Sequence, residues 1–279
     1  MFIVEKVYIC SMNKLTKSIK NKDSHLCVGL DASPIYWSQD IPSNVHGLEY
    51  FCKSIIEATQ EYTAAYKLNL AFFEVWRHEG LEVMQRILEF IPKEIFTIAD
   101  AKRSDIGHSA SFYAKTFFET YHFDAITVNP YMGKDSVEPF LDYQEKITFL
   151  LGLTSNEGAE DFQLVGQPPL YEQIIKKSIL WNLHNNIGFV MGATRPEAIQ
   201  RLRNIFPKAP LLIPGIGAQS GDLYKTIQNA YFPGSPMLIT ISRAILYADT
   251  TKSFYQKAKE KAKNFQQEID NIVNELSLS

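Results

Sequence analysis

Three charged residues in the segment from residue 98 to residue 107 have the types and spacing of an acid–base site. The segment reads IADAKRSDIG, so Asp100, Lys102 and Asp105 follow an apolar run that predicts a short β-strand. Side chains alternate between the two faces of a strand, so we expect Asp100 and Lys102 to point the same way, with Cα atoms about 7 Å apart. A carboxylate and an ammonium would then face one shared space.

Asp105 lies past the end of this predicted strand, in a turn before a helix that is expected to begin beyond Gly107. The turn could carry the carboxylate away from Asp100 and Lys102, or deliver it to a neighbouring subunit, and the sequence leaves both open. A solvated cluster of ion pairs at a strand end would have the same motif. The interpretation therefore depends on which residues end the other strands.

Apolar runs of strand length alternate with amphipathic helical stretches along the chain, and this pattern predicts repeated βα units around a parallel sheet. Eight such runs predict an α/β fold of the closed (β/α)8 TIM-barrel type, in a single domain of residues 23–279. The predicted strands are residues 26–30, 64–68, 95–98, 125–128, 148–153, 187–191, 211–214 and 237–241. Residues 1–22 are predicted to be an N-terminal extension, and a charged helix from about residue 251 to residue 276 to pack outside the barrel or at an interface.

Residues that do chemistry in a βα barrel lie at the carboxyl ends of the strands. The polar residues at these ends are Asp31, Lys67, Asn69, Asp100, Lys102, Asn129, Thr154, Ser155, Thr194, Arg195, Gln219, Ser242 and Arg243. Lys67 is the least ordinary of them, because a lysine inside an apolar strand needs a partner to offset its desolvation. Asp100 could be that partner, whereas on an edge strand Lys67 would extend to solvent.

The loop after the seventh predicted strand reads PGIGAQSGD from residue 214 to residue 222 and precedes a helix. Glycines let backbone amides approach an anion, so this loop resembles a phosphate site. Arg243 follows the next strand, and the loops after strands seven and eight are the usual phosphate site of this fold. An ordinary surface ion pair is the alternative role for Arg243.

Composition favours a small-molecule ligand. The net charge is −3, with 28 basic and 31 acidic residues, so no basic field predicts binding to nucleic acid or to a membrane surface. The 3 cysteines form no C-x-x-C pair and are odd in number, which argues against a disulfide framework or a cysteine metal site. No signal peptide or membrane span is predicted, so we expect a cytoplasmic protein.

The motifs together resemble the orotidine 5′-phosphate decarboxylase family, in its longer bacterial-type branch (type 2), over about residues 24 to 250. The sequences that carry the resemblance are VGLD (28–31), YK (66–67), AFFE (71–74), DAKRSDIG (100–107), TVNPYMG (127–133), TSN (154–156), PGIG (214–217) and SR (242–243). The resemblance implies conversion of orotidine 5′-monophosphate to UMP and CO2 through a C6 carbanion that Lys102 protonates. It implies no metal and no organic cofactor.

The resemblance also implies roles for single residues. The catalytic residues would be Lys67, Asp100, Lys102 and Asp105, in an alternating charge network that Asp105 completes from the other subunit of an obligate homodimer. The substrate-binding residues would be Asp31 (ribose), Ser155 (pyrimidine), Gln219 and Arg243 (phosphate), Ser242, Asn69, and Ile106 with Ser109 from across the interface. The chain departs from the pattern at Leu68-Asn69, where Pro-Gln is usual, and at Ser109, where threonine is usual.

Two other functions remain open from the sequence. A metal-dependent sugar-phosphate decarboxylase or epimerase of the same fold can share the Asp-x-Lys-x-x-Asp motif, but it needs extra acidic or histidine ligands. Lys67 stands where those enzymes place a carboxylate, and none of the 6 histidines lies at a predicted strand end. A non-catalytic nucleotide-binding protein would bind UMP without turnover.

Overall fold

Short runs of branched and aromatic apolar residues form a closed barrel of eight parallel strands, in the order β1 to β8. The computed structural model describes residues 11–217 and 222–278. The strands are β1 (Leu26–Leu30), β2 (Ala65–Asn69), β3 (Phe96–Arg103), β4 (Ala125–Val128), β5 (Ile147–Leu153), β6 (Ile187–Met191), β7 (Leu211–Pro214) and β8 (Met237–Ile241). The predicted (β/α)8 barrel is confirmed, and only β3 extends far beyond its predicted end.

Amphipathic helices surround the strands. They are α1 (Ser11–Lys22), α2 (Val45–Thr59), α3 (Ala71–Glu74), α4 (Arg77–Phe90), α5 (Gly107–Lys115), α6 (Lys134–Leu141), α7 (Ala159–Phe162), α8 (Leu170–Ile179), α9 (Pro196–Ile205), α10 (Leu223–Ala230), α11 (Arg243–Leu246) and α12 (Phe254–Leu278). Side-chain caps fix two of the starts: Asn44 accepts a hydrogen bond from Gly47 N at α2, and Asp222 accepts one from Lys225 N at α10. No helix in the described part of the chain is long and apolar enough to cross a lipid bilayer.

The strand register determines which residues meet at the carboxyl end of the barrel. Lys67 lies beside Gly29 of β1 and Ile98 of β3, and Asn69 lies beside Asp100. The register between β3 and β4 shifts after Ala99, which marks a β-bulge. The last residues of β3 therefore leave the regular strand geometry next to the predicted site.

The predicted N-terminal extension contributes one described element, helix α1, which covers the amino end of the barrel. Leu15 is fully buried in the cluster that fills the barrel interior. Ser18 Oγ donates a hydrogen bond to Ala64 O at 2.6 Å, and Lys14 Nζ lies 2.5 Å from Asp124 Oδ2. The boundary between residues 22 and 23 stays a prediction, but α1 packs directly on the barrel.

The C-terminal helix α12 packs along α2, α10 and α11 on the outside of the barrel. Its first residue, Phe254, stacks on Phe51 of α2 with ring centroids 5.2 Å apart. Ala258, Ala262 and Ile269 are buried on the same side of the helix. The helix was expected to pack outside the barrel or at an interface, and in the structure it packs on the outside of the barrel.

Candidate active site

A cavity of about 380 Å³ opens at the carboxyl end of the barrel, and residues in β2 to β8, with Asp31 directly after β1, line it. Its lining residues are Asp31, Lys67, Asn69, Asp100, Lys102, Thr127, Leu151, Thr154, Ser155, Asn156, Val190, Leu212, Pro214, Gly215, Ile216, Thr240, Ser242 and Arg243. One part of the wall is charged and another is apolar, as expected for a site that holds a ring and polar substituents. The cavity lies at the carboxyl ends of the strands, where the sequence predicts the site.

A network of charges of alternating sign lies on the floor of this cavity. Asp100 is at its centre: Lys67 Nζ lies 2.7 Å from Oδ2, and Lys102 Nζ lies 2.5 Å from Oδ1. Lys67 is also 3.6 Å from Asp31 Oδ1. The predicted pairing of Lys67 with Asp100 is confirmed, and the predicted proximity of Asp100 to Lys102 is confirmed as well.

The pairing keeps both buried groups ionised. Burial alone would raise the pKa of Asp100, but the ammonium groups of Lys67 and Lys102 reverse this effect and hold the pKa well below its usual value. Burial would lower the pKa of Lys67, and the carboxylates of Asp100 and Asp31 raise it above its usual value instead. The Lys102 side chain is 49% exposed and that of Lys67 is 6% exposed, so Lys102 is the more accessible of the two cations.

Lys102 reaches Asp100 from an unusual backbone conformation. Its φ is +47°, in the left-handed region that residues with a side chain rarely adopt. Simple alternation along a strand therefore predicts the contact but not the backbone that makes it. Thr127 of β4 accepts a hydrogen bond from Lys102 N at 3.0 Å and donates one to Asp100 Oδ1 at 3.0 Å. Thr127 is not among the predicted site residues, although it lies in the TVNPYMG motif.

Gly29 in the middle of β1 leaves space for the site. A Cβ atom at this position would lie 2.0 Å from Ser242 Oγ and 3.6 Å from Lys67 Cε. A side chain at residue 29 would therefore displace the Ser242 hydroxyl from its position in the cavity wall. Glycine inside a strand is a signal for such close approach, and that signal is readable in VGLD.

The segment after β5 is fixed over the end of β6. A Cβ atom on Gly192 would lie 2.8 Å from Ser155 N and Cα, so glycine is needed there. Gln163 holds the preceding residue with two hydrogen bonds: its Oε1 accepts from Thr154 N at 2.8 Å and its Nε2 donates to Thr154 Oγ1 at 2.8 Å. Ser155, which is predicted to bind the pyrimidine, lines the cavity, and these contacts hold the segment that carries it.

Arg243 and the first residues of the glycine-rich loop, predicted to bind phosphate, line the cavity after β8 and β7. Gly215 and Gly217 have φ of +110° and +81°, so the turn after β7 requires glycine at both positions. Arg243 begins α11, is exposed, and forms no ion pair with any residue in 11–217 or 222–278. The ordinary surface ion pair that was the alternative role for Arg243 is therefore absent from this part of the chain. Gln219 lies outside the described residues.

Three predicted site residues do not line the cavity of their own chain. Asp105 is partly exposed, and its Oδ1 accepts a hydrogen bond from Ile106 N at 2.8 Å. Ile106 and Ser109 are exposed beyond it at the start of α5. Asn69, by contrast, lines the cavity, and its Oδ1 accepts a hydrogen bond from Ala71 N at 3.3 Å. The structure brings together the other three predicted catalytic residues, Lys67, Asp100 and Lys102, and leaves Asp105, Ile106 and Ser109 on the outer surface.

The donor chemistry of the site is that of charge pairs. Among the residues that the structure describes, no three histidine, cysteine, aspartate or glutamate side chains are grouped as metal ligands. Asp31 and Asp100 are the acidic residues of the cavity lining, and Lys67 lies between them.

Comparison with protein families gives a match over most of the chain. The model of the orotidine 5′-phosphate decarboxylase / HUMPS family matches residues 24–258. An orotidine 5′-phosphate decarboxylase of Dehalococcoides mccartyi is 46% identical over 266 residues, which are 93% of this chain and 97% of the relative. The Flavobacterium johnsoniae orotidine 5′-phosphate decarboxylase is 43% identical over 270 residues, 94% of this chain and 97% of the relative.

Solved structures give the same result. The OMP decarboxylase of Leishmania donovani is 36% identical, with a TM-score of 0.84, over 95% of this chain and 99% of that chain. The UMP synthase of the same organism is 37% identical, with a TM-score of 0.86, over 95% of this chain. This chain spans 57% of the length of that synthase.

Proposed function

The chain belongs to the orotidine 5′-phosphate decarboxylase / HUMPS family and is a carboxy-lyase that converts orotidine 5′-monophosphate to UMP and CO2, and we propose that Lys67, Asp100 and Lys102 carry out this reaction. The observation that supports the assignment is the position of Asp100, 2.7 Å from Lys67 and 2.5 Å from Lys102 on the cavity floor.

Lys102 supplies the positive charge and the proton. The bond between C6 of the pyrimidine and its carboxylate breaks, the electron pair stays on C6, and CO2 leaves. That electron pair gains little from resonance, so a fixed ammonium beside C6 stabilises the charge as it develops. Lys102 Nζ then donates a proton to C6 and recovers one from solvent, which its half-exposed side chain can contact.

Asp100 and Lys67 hold the proton donor in place. Asp100 contacts Lys102 Nζ directly, so it fixes the position of the ammonium. In this arrangement Asp100 also lies near the departing carboxylate of the substrate, where repulsion would disfavour the ground state. Lys67 balances the charge of Asp100 from the other side, and their contact is nearly excluded from solvent.

Substrate binding uses the rest of the cavity rim. Asp31 lines the cavity and its side chain is 22% exposed, which suits its carboxylate to accept a bond from a ribose hydroxyl. Ser155 binds the pyrimidine, with Asn69 near the charge network, and Ser242, Arg243 and Gln219 bind the phosphate. Because the phosphate lies far from C6, its binding energy is available to close the loops over the reacting carbon.

One assay tests the function. Purified protein is mixed with orotidine 5′-monophosphate and excess EDTA, and the loss of orotate absorbance is followed. We propose that neither metal nor organic cofactor takes part, so the rate should persist in chelator. A rate that EDTA abolishes and a divalent ion restores would support the metal-dependent sugar-phosphate enzymes instead. Binding of UMP without any turnover would support a non-catalytic protein.

The active enzyme is proposed to be a homodimer with shared sites. Asp105, Ile106 and Ser109 lie on the outer surface of the β3–α5 connection, where Asp105 could complete the charge network of a second copy. Large apolar side chains are exposed on the same connection and its neighbours: Ile106 by 54%, Phe112 by 60% and Tyr131 by 75%. Exposed apolar residues grouped beside a site favour a protein interface.

Mixing inactive variants tests the shared site. Asp105→Ala and Lys102→Ala proteins, mixed and allowed to exchange subunits, should regain about a quarter of the wild-type rate, because half of the dimers would contain one intact site. Lys67→Ala mixed with Lys102→Ala is the matched control, since both lysines belong to the same chain and no site is restored. No recovery in the first mixture despite subunit exchange would exclude sharing.

A cytoplasmic location is also proposed. Cys27 and Cys52 are buried free thiols, which suits a reducing compartment. Cell fractionation should recover the decarboxylase activity with soluble cytoplasmic enzymes, and recovery in a membrane or extracellular fraction would contradict the proposal.

A further inference from the structure

Thr127 closes a ring of hydrogen bonds around the proton donor. Its Oγ1 accepts from Lys102 N at 3.0 Å and donates to Asp100 Oδ1 at 3.0 Å. The same Asp100 Oδ1 lies 2.5 Å from Lys102 Nζ. Thr127 therefore connects the backbone of Lys102 to the carboxylate oxygen on which the ammonium of Lys102 rests.

The backbone at Lys102 needs this support. A φ of +47° is unfavourable for a residue with a side chain, and it persists only where surrounding contacts hold it. On the other side of Lys102, Arg103 Nη1 donates to Ala101 O at 3.1 Å. The Arg103 guanidinium also lies 5.5 Å from the ring centroids of Tyr113 and Phe117. Thr127 is the member of this support that also touches Asp100.

The Thr127 hydroxyl that forms these two hydrogen bonds is buried. The residue is 1% exposed, so its hydrogen bonds are shielded from bulk water. One hydroxyl acts at once as acceptor for a backbone amide and as donor to a carboxylate. Valine has nearly the same shape and can do neither, whereas serine can do both.

We propose that Thr127 is a positioning residue for decarboxylation. Thr127 sets the distance of the Lys102 ammonium from Asp100 and from C6 of the substrate. Thr127 acts through Lys102 and Asp100, so its effect falls on the chemical step more than on nucleotide binding. This inference rests on the proposed roles of Lys102 and Asp100.

Steady-state kinetics of Thr127→Val and Thr127→Ser test the inference. In Thr127→Val, kcat should fall by about 10- to 100-fold, with the KM for orotidine 5′-monophosphate and the Kd for UMP within about twofold of wild type. Thr127→Ser should keep kcat within about threefold, because it retains both hydrogen bonds. If Thr127→Val does not fold, Thr127→Ala replaces it, with the same expected fall in kcat.

Thr148→Val is the matched control. Thr148 is a fully buried strand threonine in β5 whose Oγ1 has no hydrogen-bond partner, and it does not line the cavity. Its kcat should equal that of wild type. A kcat for Thr127→Val within twofold of wild type, an equal loss in Thr127→Ser or in Thr148→Val, or a loss confined to KM would overturn the inference. Wild-type protein without turnover would overturn the proposed function and this inference with it, whereas a fully active Thr127→Val would overturn the inference alone.

Discussion

Two aspartates at opposite ends of the same barrel have almost the same surroundings. Asp100 at the carboxyl end and Asp124 at the amino end are each 9% exposed. Asp124 Oδ2 lies 2.5 Å from Lys14 Nζ and accepts hydrogen bonds from Thr97 N and Thr97 Oγ1 at 2.9 and 3.0 Å. Asp100 likewise has a lysine at 2.5 Å and a threonine hydroxyl at 3.0 Å.

The difference lies in what remains open beside each carboxylate. Helix α1 covers Asp124, and its contacts join two parts of the same fold. Asp100 has a second lysine and faces a cavity of about 380 Å³. Burial and pairing of an acid with a base are therefore common to a structural contact and to a catalytic site. What distinguishes the catalytic site is space for a ligand beside a lysine side chain.

The largest expected difference between the two ends comes from removing the lysine that pairs with each aspartate. Lys102→Ala should lower kcat by about 10⁴-fold while UMP still binds, since it removes the proposed proton donor and the proposed charge beside C6. Lys14→Ala should leave kcat within about twofold. Kinetics and UMP titration of the two variants measure the contrast, and a near-normal rate for Lys102→Ala would remove Lys102 from the mechanism.

Removing the carboxylate at the amino end should affect stability instead of catalysis. Asp124→Ala leaves the backbone N–H and hydroxyl of Thr97 without an acceptor, so the free energy of unfolding should fall by about 3 kcal/mol. Urea denaturation measures this change. The folded variant should retain kcat within about twofold, and a tenfold loss of kcat without loss of stability would mean that the two ends are coupled.

A smaller effect on stability is expected at Asp270 of α12. Burial, with a further contribution from Asp23, raises the pKa of Asp270 to about 7. Because the carboxyl pKa is raised, ionisation of Asp270 destabilises the folded state. The destabilisation is complete above pH 7 and decreases as the pH falls towards 3.8, the pKa of the unfolded state. Asp270→Asn should therefore stabilise the protein by about 1 kcal/mol at pH 8 after allowance for solvent screening. Thermal unfolding at pH 8 and pH 4.5 should show a gain only at pH 8, and equal gains would contradict this cause.

The smallest expected effect is that of pH on the charge network. The pKa of Asp100 is lowered from 3.8, so its charge and the stability it contributes are present above that value and are lost as the pH falls through the lower, folded pKa. The pKa of Lys67 is raised from 10.5, so its contribution is complete below that value and is lost as the pH rises through the folded pKa. At saturating substrate, kcat should vary by less than about twofold between about pH 5 and pH 9. A bell-shaped profile centred in that window would show that a group outside this pair controls the rate.

Much of the barrel is readable from the sequence because hydrophobic periodicity and strand length are local properties. Five strands have the bounds that were predicted for them, β1, β4, β6, β7 and β8. The end of β3 differs, since a bulge and a left-handed residue at Lys102 extend the strand to Arg103. That conformation depends on contacts with β4, which no local pattern encodes.

The same division applies to the site. The charged residues of the floor were predicted, because charges at strand ends are conspicuous in an apolar pattern. Thr127 was not, because a threonine inside a strand is ordinary in sequence and its importance comes from its distance to Asp100. The roles of Asp105, Ile106 and Ser109 stay predictions, since they depend on a second chain.

The cap formed by α1 has a practical consequence for protein production. Residues 24–258 are the part that matches the family model, so they are the obvious segment to clone. That shortened protein would lack Leu15, which fills the floor of the barrel, and Lys14, the cation beside Asp124. Expression and crystallisation should therefore start from the longer chain. Trimming it to residues 24–258 would open the amino end of the barrel, opposite the cavity.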